Sequence, residues 1–141
     1  MNPFDLSNKV ICVTGASSGI GRQCAVSCSR MGATVVLLAR NEQRLHETLS
    51  IMDNPDKHVI IPVDLTEYAT VELVVKNIVS QVGRISGVLH CAGISTTLPL
   101  KLVTPEKLDE FFQANVFSAY NLTREVCKMG NFSKEGGSIV F

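Results

Sequence analysis

The sequence has no excess of charge of either sign: Lys and Arg number 13, Asp and Glu number 13, and the formal net charge is +0. Without a basic balance no overall field draws nucleic acid or an anionic membrane surface, so neither is expected as a partner. No apolar run is long enough to cross a bilayer, and Met1-Asn2-Pro3-Phe4-Asp5 lacks the basic-then-apolar order of a secretory signal. A cytoplasmic protein is expected. There is no Cys-x-x-Cys pair; Cys12, Cys24, Cys28, Cys91 and Cys127 are scattered among apolar neighbours, as reduced and mostly buried thiols are. Cys24 and Cys28 share a helix face and His90 adjoins Cys91, but adjacent strand residues point to opposite faces and no second ligand pair is present. No metal site is expected. Repeats beyond a βα unit, low-complexity tracts and linkers are also missing. What remains is one domain over residues 1–141, with 45% hydrophobic and 18% charged residues, a balance suited to a buried α/β core.

The informative stretch is Thr14-Gly15-Ala16-Ser17-Ser18-Gly19-Ile20-Gly21. It follows the apolar run Val10-Ile11-Cys12-Val13 and leads into Arg22-Gln23-Cys24-Ala25-Val26, which contains no helix breaker. The glycines therefore sit between a buried strand and a helix start. There the first Gly permits a tight turn, the later ones let a phosphate approach the backbone, and the helix presents free N–H groups at its positive end. An anion belongs there, although the bare pattern also serves merely to turn a chain.

Taken in order, Lys9 to Val13 is a first strand, apolar throughout and hence buried on both faces of a parallel sheet. A helix from Gly19 should stop near Met31-Gly32. Thr34 to Ala39 is a second strand, and Asn41 caps a helix to about Leu49. The third strand reads His58 to Val63, with Pro62 placed near its end or at an edge. Thr66 and Glu67 predict a cap and acidic first turn for a helix to Val82, stopped by Gly83. Ile85 to His90 is a fourth strand. Thr104-Pro105-Glu106 opens a long helix whose stripe of Leu108, Phe111, Phe112, Asn115, Ala119, Leu122 and Val126 should face the sheet. Ser138 to Phe141 begins a fifth strand. Alternating strands and helices describe a Rossmann-type, doubly wound parallel sheet with helices on both faces, ending after the fifth strand.

Thr-Gly-x-x-x-Gly-x-Gly, with three residues between Gly15 and Gly19 and one between Gly19 and Gly21, resembles the short-chain dehydrogenase/reductase family. The resemblance implies that Thr14, Gly15, Ser17, Ser18, Gly19, Ile20 and Gly21 surround a nicotinamide dinucleotide. At the end of the second strand an acid selects the ribose hydroxyl of NAD, whereas an Arg accommodates the 2′-phosphate of NADP. Here the strand ends Leu38-Ala39-Arg40, with a permanent cation suited to phosphate, so NADP is the expected cofactor and NAD the less favoured one. Arg40 also reads as an ordinary solvated loop residue. Asp64-Leu65 looks like the family's adenine-contacting pair, with Asp64 alternatively a helix cap. Cys91-Ala92-Gly93-Ile94 resembles the family's Asn-Ala-Gly segment, with Cys91 replacing the amide side chain and so removing any brace it would supply.

Asn115 interrupts an apolar stripe, where a buried amide must be satisfied. It reads either as a core residue bonded to nearby backbone or, by resemblance, as the family's catalytic Asn, whose carbonyl holds a water in the proton relay. The family's Ser, Tyr and Lys are missing: Tyr68 is followed four residues on by Glu72 and Tyr120 by Arg124, which stays protonated. The chain is thus expected to be the cofactor-binding part of a longer NADP-dependent oxidoreductase, similar to oxoacyl-carrier-protein reductases, inactive alone, with a small carbonyl or alcohol substrate. The resemblance further implies a homo-oligomeric parent that pairs the long helix across a dimer interface. The alternative is a module that binds NADP without catalysis.

Overall fold

The computed structural model describes residues 2–141; Met1, the first residue of the expected domain, lies outside the described residues. β1 (Val10–Thr14), β2 (Thr34–Ala39), β3 (Val59–Pro62), β4 (Gly87–His90) and β5 (Ser138–Val140) form one sheet in the order β3-β2-β1-β4-β5. All four strand pairings are parallel. The chain builds outward from β1 to β3, then crosses back to place β4 on the other side of β1. At such a reversal, beyond the carboxyl ends of β1 and β4, sheets of this kind bind ligands.

The central strands β1 and β2 are apolar on both sides because helices cover both, whereas β5 is largely exposed. α1 (Gly19–Arg30) and α2 (Glu42–Leu49) bury Ala25, Val26 and Leu45 against Ile11, Val13, Val35 and Leu37. On the other face, α3 (Tyr68–Val82) supplies Val71, Val75 and Ile78 against Cys12, Val36, Leu38 and Val88. Two further helices, α4 (Pro105–Phe112) and α5 (Ser118–Val126), follow β4, and α5 adds Leu122 and Val126 to this second core. α1 closes as expected, in a Schellman arrangement in which Ala33 N–H donates to Cys28 O at 3.1 Å and Gly32 N–H to Ser29 O at 3.0 Å. Asn41 caps α2 by accepting from Arg44 N–H. Pro62 ends β3, an edge strand, where the ladder needs no donor from it.

Several expectations are corrected. β1 begins at Val10 and extends through Thr14, while β4 begins at Gly87 and leaves Ile85 in an isolated bridge with Phe132. Thr66 does not cap α3. Its N–H and hydroxyl both donate to Asp64 Oδ1, at 3.0 and 2.7 Å, and Glu67 takes the cap position without a side-chain bond. An Asx-type turn has outcompeted the cap.

The long helix is not continuous: a π turn, Gln113–Phe117, separates α4 from α5. Thr104 caps α4 as expected, accepting from Lys107 N–H at 3.2 Å. Only the second half of the stripe, Ala119, Leu122 and Val126, packs inward; Leu108 is 49% and Phe112 46% exposed, and Asn115 is exposed rather than buried. One extra residue in the π turn rotates everything before it relative to everything after, so a stripe drawn at constant period cannot stay on one face. The thiols also divide more evenly than expected. Cys12 and Cys28 are buried, Cys24 and Cys91 half-buried, and Cys127 exposed at the end of α5.

Candidate nucleotide site

The glycine loop joins β1 to α1 beside this chain reversal. Gly15 has φ +65°, and a Cβ there would lie 2.8 Å from Ala92 N at the end of β4. A side chain at Gly21 would overlap the Gly15 carbonyl, so α1 starts in direct contact with the turn that precedes it. Gly15 and Gly21 are thus required by close approach and not by flexibility alone.

Ser18 caps α1 in an extended conformation with no side-chain bond, and the first helical hydrogen bond runs from Arg22 N–H to Ser18 O at 3.1 Å. Among the described residues, the amides of Gly19, Ile20 and Gly21 have no backbone acceptor, and the first turn carries no acidic side chain. Ile20 is 76% exposed. These donors form an open cradle at the positive end of a helix dipole, suited to a phosphate.

Thr14, 1% exposed, lies beneath this cradle. Its Oγ1 accepts from Cys91 N–H and from Ala92 N–H, each at 3.0 Å, and approaches Leu89 O at 3.5 Å. The hydroxyl ties the end of β1 to the end of β4. The two strand ends are thus joined without an amide side chain at position 91. The Cys91 thiol turns instead toward α1, where burial first and the neighbouring Cys24 second push its pKa up to about 11. His90 turns the other way, its Nε2 2.9 Å from Thr123 Oγ1 on α5 and its ring stacked on Phe141 at 4.8 Å. The two residues face opposite sides of the sheet.

Ala92 and Gly93 continue into Ile94, which Asn115 grips at both polar groups. Asn115 Oδ1 accepts from Ile94 N–H at 2.7 Å, and Nδ2 donates to Ile94 O at 2.9 Å. A Cβ on Gly93 would come within 2.9 Å of that same Oδ1. The Asn115 side chain thus makes the backbone bonds of the structural alternative, but at an exposed position in the π turn.

Arg40 is exposed directly after β2, and Asp64 lies two residues beyond the neighbouring β3. The Asp64 carboxyl is held below its ordinary value chiefly by Thr66, with a smaller contribution from the Arg40 charge. Both hydrogen bonds fall on Oδ1. The Leu65 side chain is buried in the core, whereas its N–H has no acceptor among the described residues. Loop, Arg40, Asp64 and the 91–93 segment all lie where strands end, along one rim of the sheet.

Two residues that sequence reasoning passed over reinforce the loop: Arg22 donates to Ser17 O at 2.7 Å, and Thr48 on α2 donates to Ala16 O at 2.8 Å. A signal was available in Thr48, which follows Leu45 by three positions and so shares its buried helix face.

A parallel sheet with its chain reversal beside a glycine-lined helix start defines an α/β protein of Rossmann type. Residues 9–141 match the family model of short chain dehydrogenases, and the chain belongs to that family. It is 32% identical to the oxidoreductase YciK of Escherichia coli over 96% of this chain and 56% of that protein. With the L-xylulose reductase of Caenorhabditis elegans it shares 36% identity over 80% of this chain and 44% of the relative. A short chain dehydrogenase structure from Salmonella enterica serovar Typhi superposes with a TM-score of 0.88 at 34% identity, covering 100% of this chain and 60% of the other. The chain spans about half the length of the curated relatives it matches.

Proposed function

We propose that the chain is the cofactor-binding part of an NADP-dependent oxidoreductase, in which hydride moves between nicotinamide and a small carbonyl or alcohol substrate. The observation that carries this reading is the set of acceptor-free amides at Gly19, Ile20 and Gly21, set above two glycines whose missing side chains leave room for close approach. Family membership and a similarity to L-xylulose reductase support the chemistry. When bound, the nicotinamide gives or takes the hydride.

The chain's own residues bind and orient. Ser17, Ser18, Gly19 and Ile20 line the phosphates, with Thr14, Gly15 and Gly21 shaping the loop. The Arg40 guanidinium pairs with the 2′-phosphate, favouring NADP over NAD. Asp64 offers its second oxygen to the adenine amine and Leu65 its N–H to the ring, while Cys91, Ala92 and Gly93 border the ribose through their backbone. With its side chain committed to Ile94, Asn115 acts through its main-chain carbonyl, orienting a water for proton transfer.

The reading extends to one domain, to a reducing compartment such as the cytoplasm, in keeping with five unpaired thiols, and to a homo-oligomeric parent using the exposed apolar side chains of α4. Calorimetric titration of the chain with NADP and with NAD, alongside Arg40→Ala, tests it. Tighter binding of NADP, lost in the variant, is expected. Equal affinity for the two removes the cofactor preference, and no binding of either overturns the site.

A further inference from the structure

The carbonyls of the glycine loop are held from outside the loop. Arg22, one residue past Gly21, donates from Nη2 to Ser17 O at 2.7 Å and from Nε to Thr48 Oγ1 at 3.0 Å, and its Nη2 also lies 3.2 Å from Glu47 Oε2. Thr48 is 0% exposed. Its single hydroxyl proton has two carbonyls within reach, Ala16 O at 2.8 Å and Arg44 O at 3.1 Å. The shorter goes to the loop, and with Arg22 Nε donating into the oxygen the hydroxyl is used in both directions.

The consequence follows from peptide planarity. In a trans peptide the C=O and the following N–H point in opposite directions. Fixing the Ala16 carbonyl toward α2 therefore fixes the Ser17 N–H away from it, and fixing the Ser17 carbonyl does the same for the Ser18 N–H. Neither amide has a backbone acceptor among the described residues. We propose that Arg22 and Thr48 are positioning residues that set the Ser17 and Ser18 amides for the anionic groups of the nucleotide, so that α2 takes part in nucleotide binding without touching the ligand. The inference rests on the nucleotide site described above.

The test uses the full chain, ¹⁵N-labelled, titrated with NADP by calorimetry and by amide NMR, as wild type, Thr48→Val, Thr48→Ser and Arg22→Met, each with a thermal melt to establish folding. In Thr48→Val, which keeps the shape and loses the hydroxyl, affinity should fall about tenfold, and the NADP-induced shifts of the Ser17 and Ser18 amides should shrink. Thr48→Ser should restore both, and Arg22→Met should repeat the loss through the Ser17 carbonyl. Wild-type affinity and shifts in a folded Thr48→Val overturn the proposal, as does a Thr48→Ser variant no better than Val, since the methyl would then be what matters. Absence of NADP binding by the wild type overturns the nucleotide site itself and this positioning role with it.

Discussion

Replacing Thr14 by Val leaves the volume at the end of β1 unchanged and removes one oxygen. That oxygen accepts two backbone N–H groups, from Cys91 and Ala92, at 3.0 Å each. Its approach to Leu89 O, at 3.5 Å, is too long to weigh heavily. A fully buried donor stripped of its acceptor costs about 1–3 kcal/mol, and one that water can reach costs nearer 1 kcal/mol. Cys91 is half-buried and Ala92 exposed, so the lower figure applies to each. The expected loss is about 2 kcal/mol, or roughly 6 °C in melting temperature for a chain of this length. The assay is urea denaturation followed by far-UV circular dichroism, with Thr14→Ser as the control that retains the oxygen. A Val variant whose midpoint matches the wild type would refute the claim that this hydroxyl joins the two strand ends. A Ser variant as unstable as Val would refute it too, by assigning the effect to the methyl group.

Gly15→Ala should cost about 2–4 kcal/mol, because φ is +65° and the added carbon meets Ala92 N at 2.8 Å, and chemical denaturation reads it directly. Asn115→Ala removes two bonds to Ile94 at an exposed site and should cost about 1–2 kcal/mol, seen as faster hydrogen exchange at the Ile94 amide. His58 accepts Val35 N–H at Nδ1 and reaches Asp53 O from Nε2, so it folds neutral, and burial lowers its pKa below the ordinary 6.5. The unfolded chain then binds the proton more readily than the folded one. Stability is full above about pH 7 and falls as the pH drops through 6.5, and His58→Gln should flatten that slope in denaturation series between pH 7.5 and 5.5.

The central strands β1 and β2 were legible because each is a nearly continuous apolar run, and a strand buried on both faces has no polar alternation to misread. Asn41 and Thr104 announced their helices, since each cap acts within its own turn. Failures came where two local solutions competed. At Asp64-Leu65-Thr66 the carboxylate captured the Thr hydroxyl before the helix could, and nothing in either residue type decides that contest. Asn115 was expected in the core because the period was assumed constant, whereas the π turn around it shifts the phase. The rim itself could be placed from motif order alone, yet Thr14 as a cross-strand tie and Thr48 as a support for the loop depend on partners 77 and 32 residues distant in sequence.

Those distant partners change how the loop should be understood. A glycine-rich turn gains freedom at every Gly, and on its own would lose conformational entropy on closing around a phosphate. Here the restraint is supplied before any ligand arrives: the Cys91–Ala92 segment after β4 abuts Gly15, Thr48 takes the Ala16 carbonyl, Arg22 takes that of Ser17, and α1 begins at Gly19. Each carbonyl so engaged is an oxygen that cannot turn toward an incoming anion and repel it. The glycines thus provide room while their neighbours provide rigidity, and on the proposed reading the affinity for a phosphate depends on side chains that never meet it.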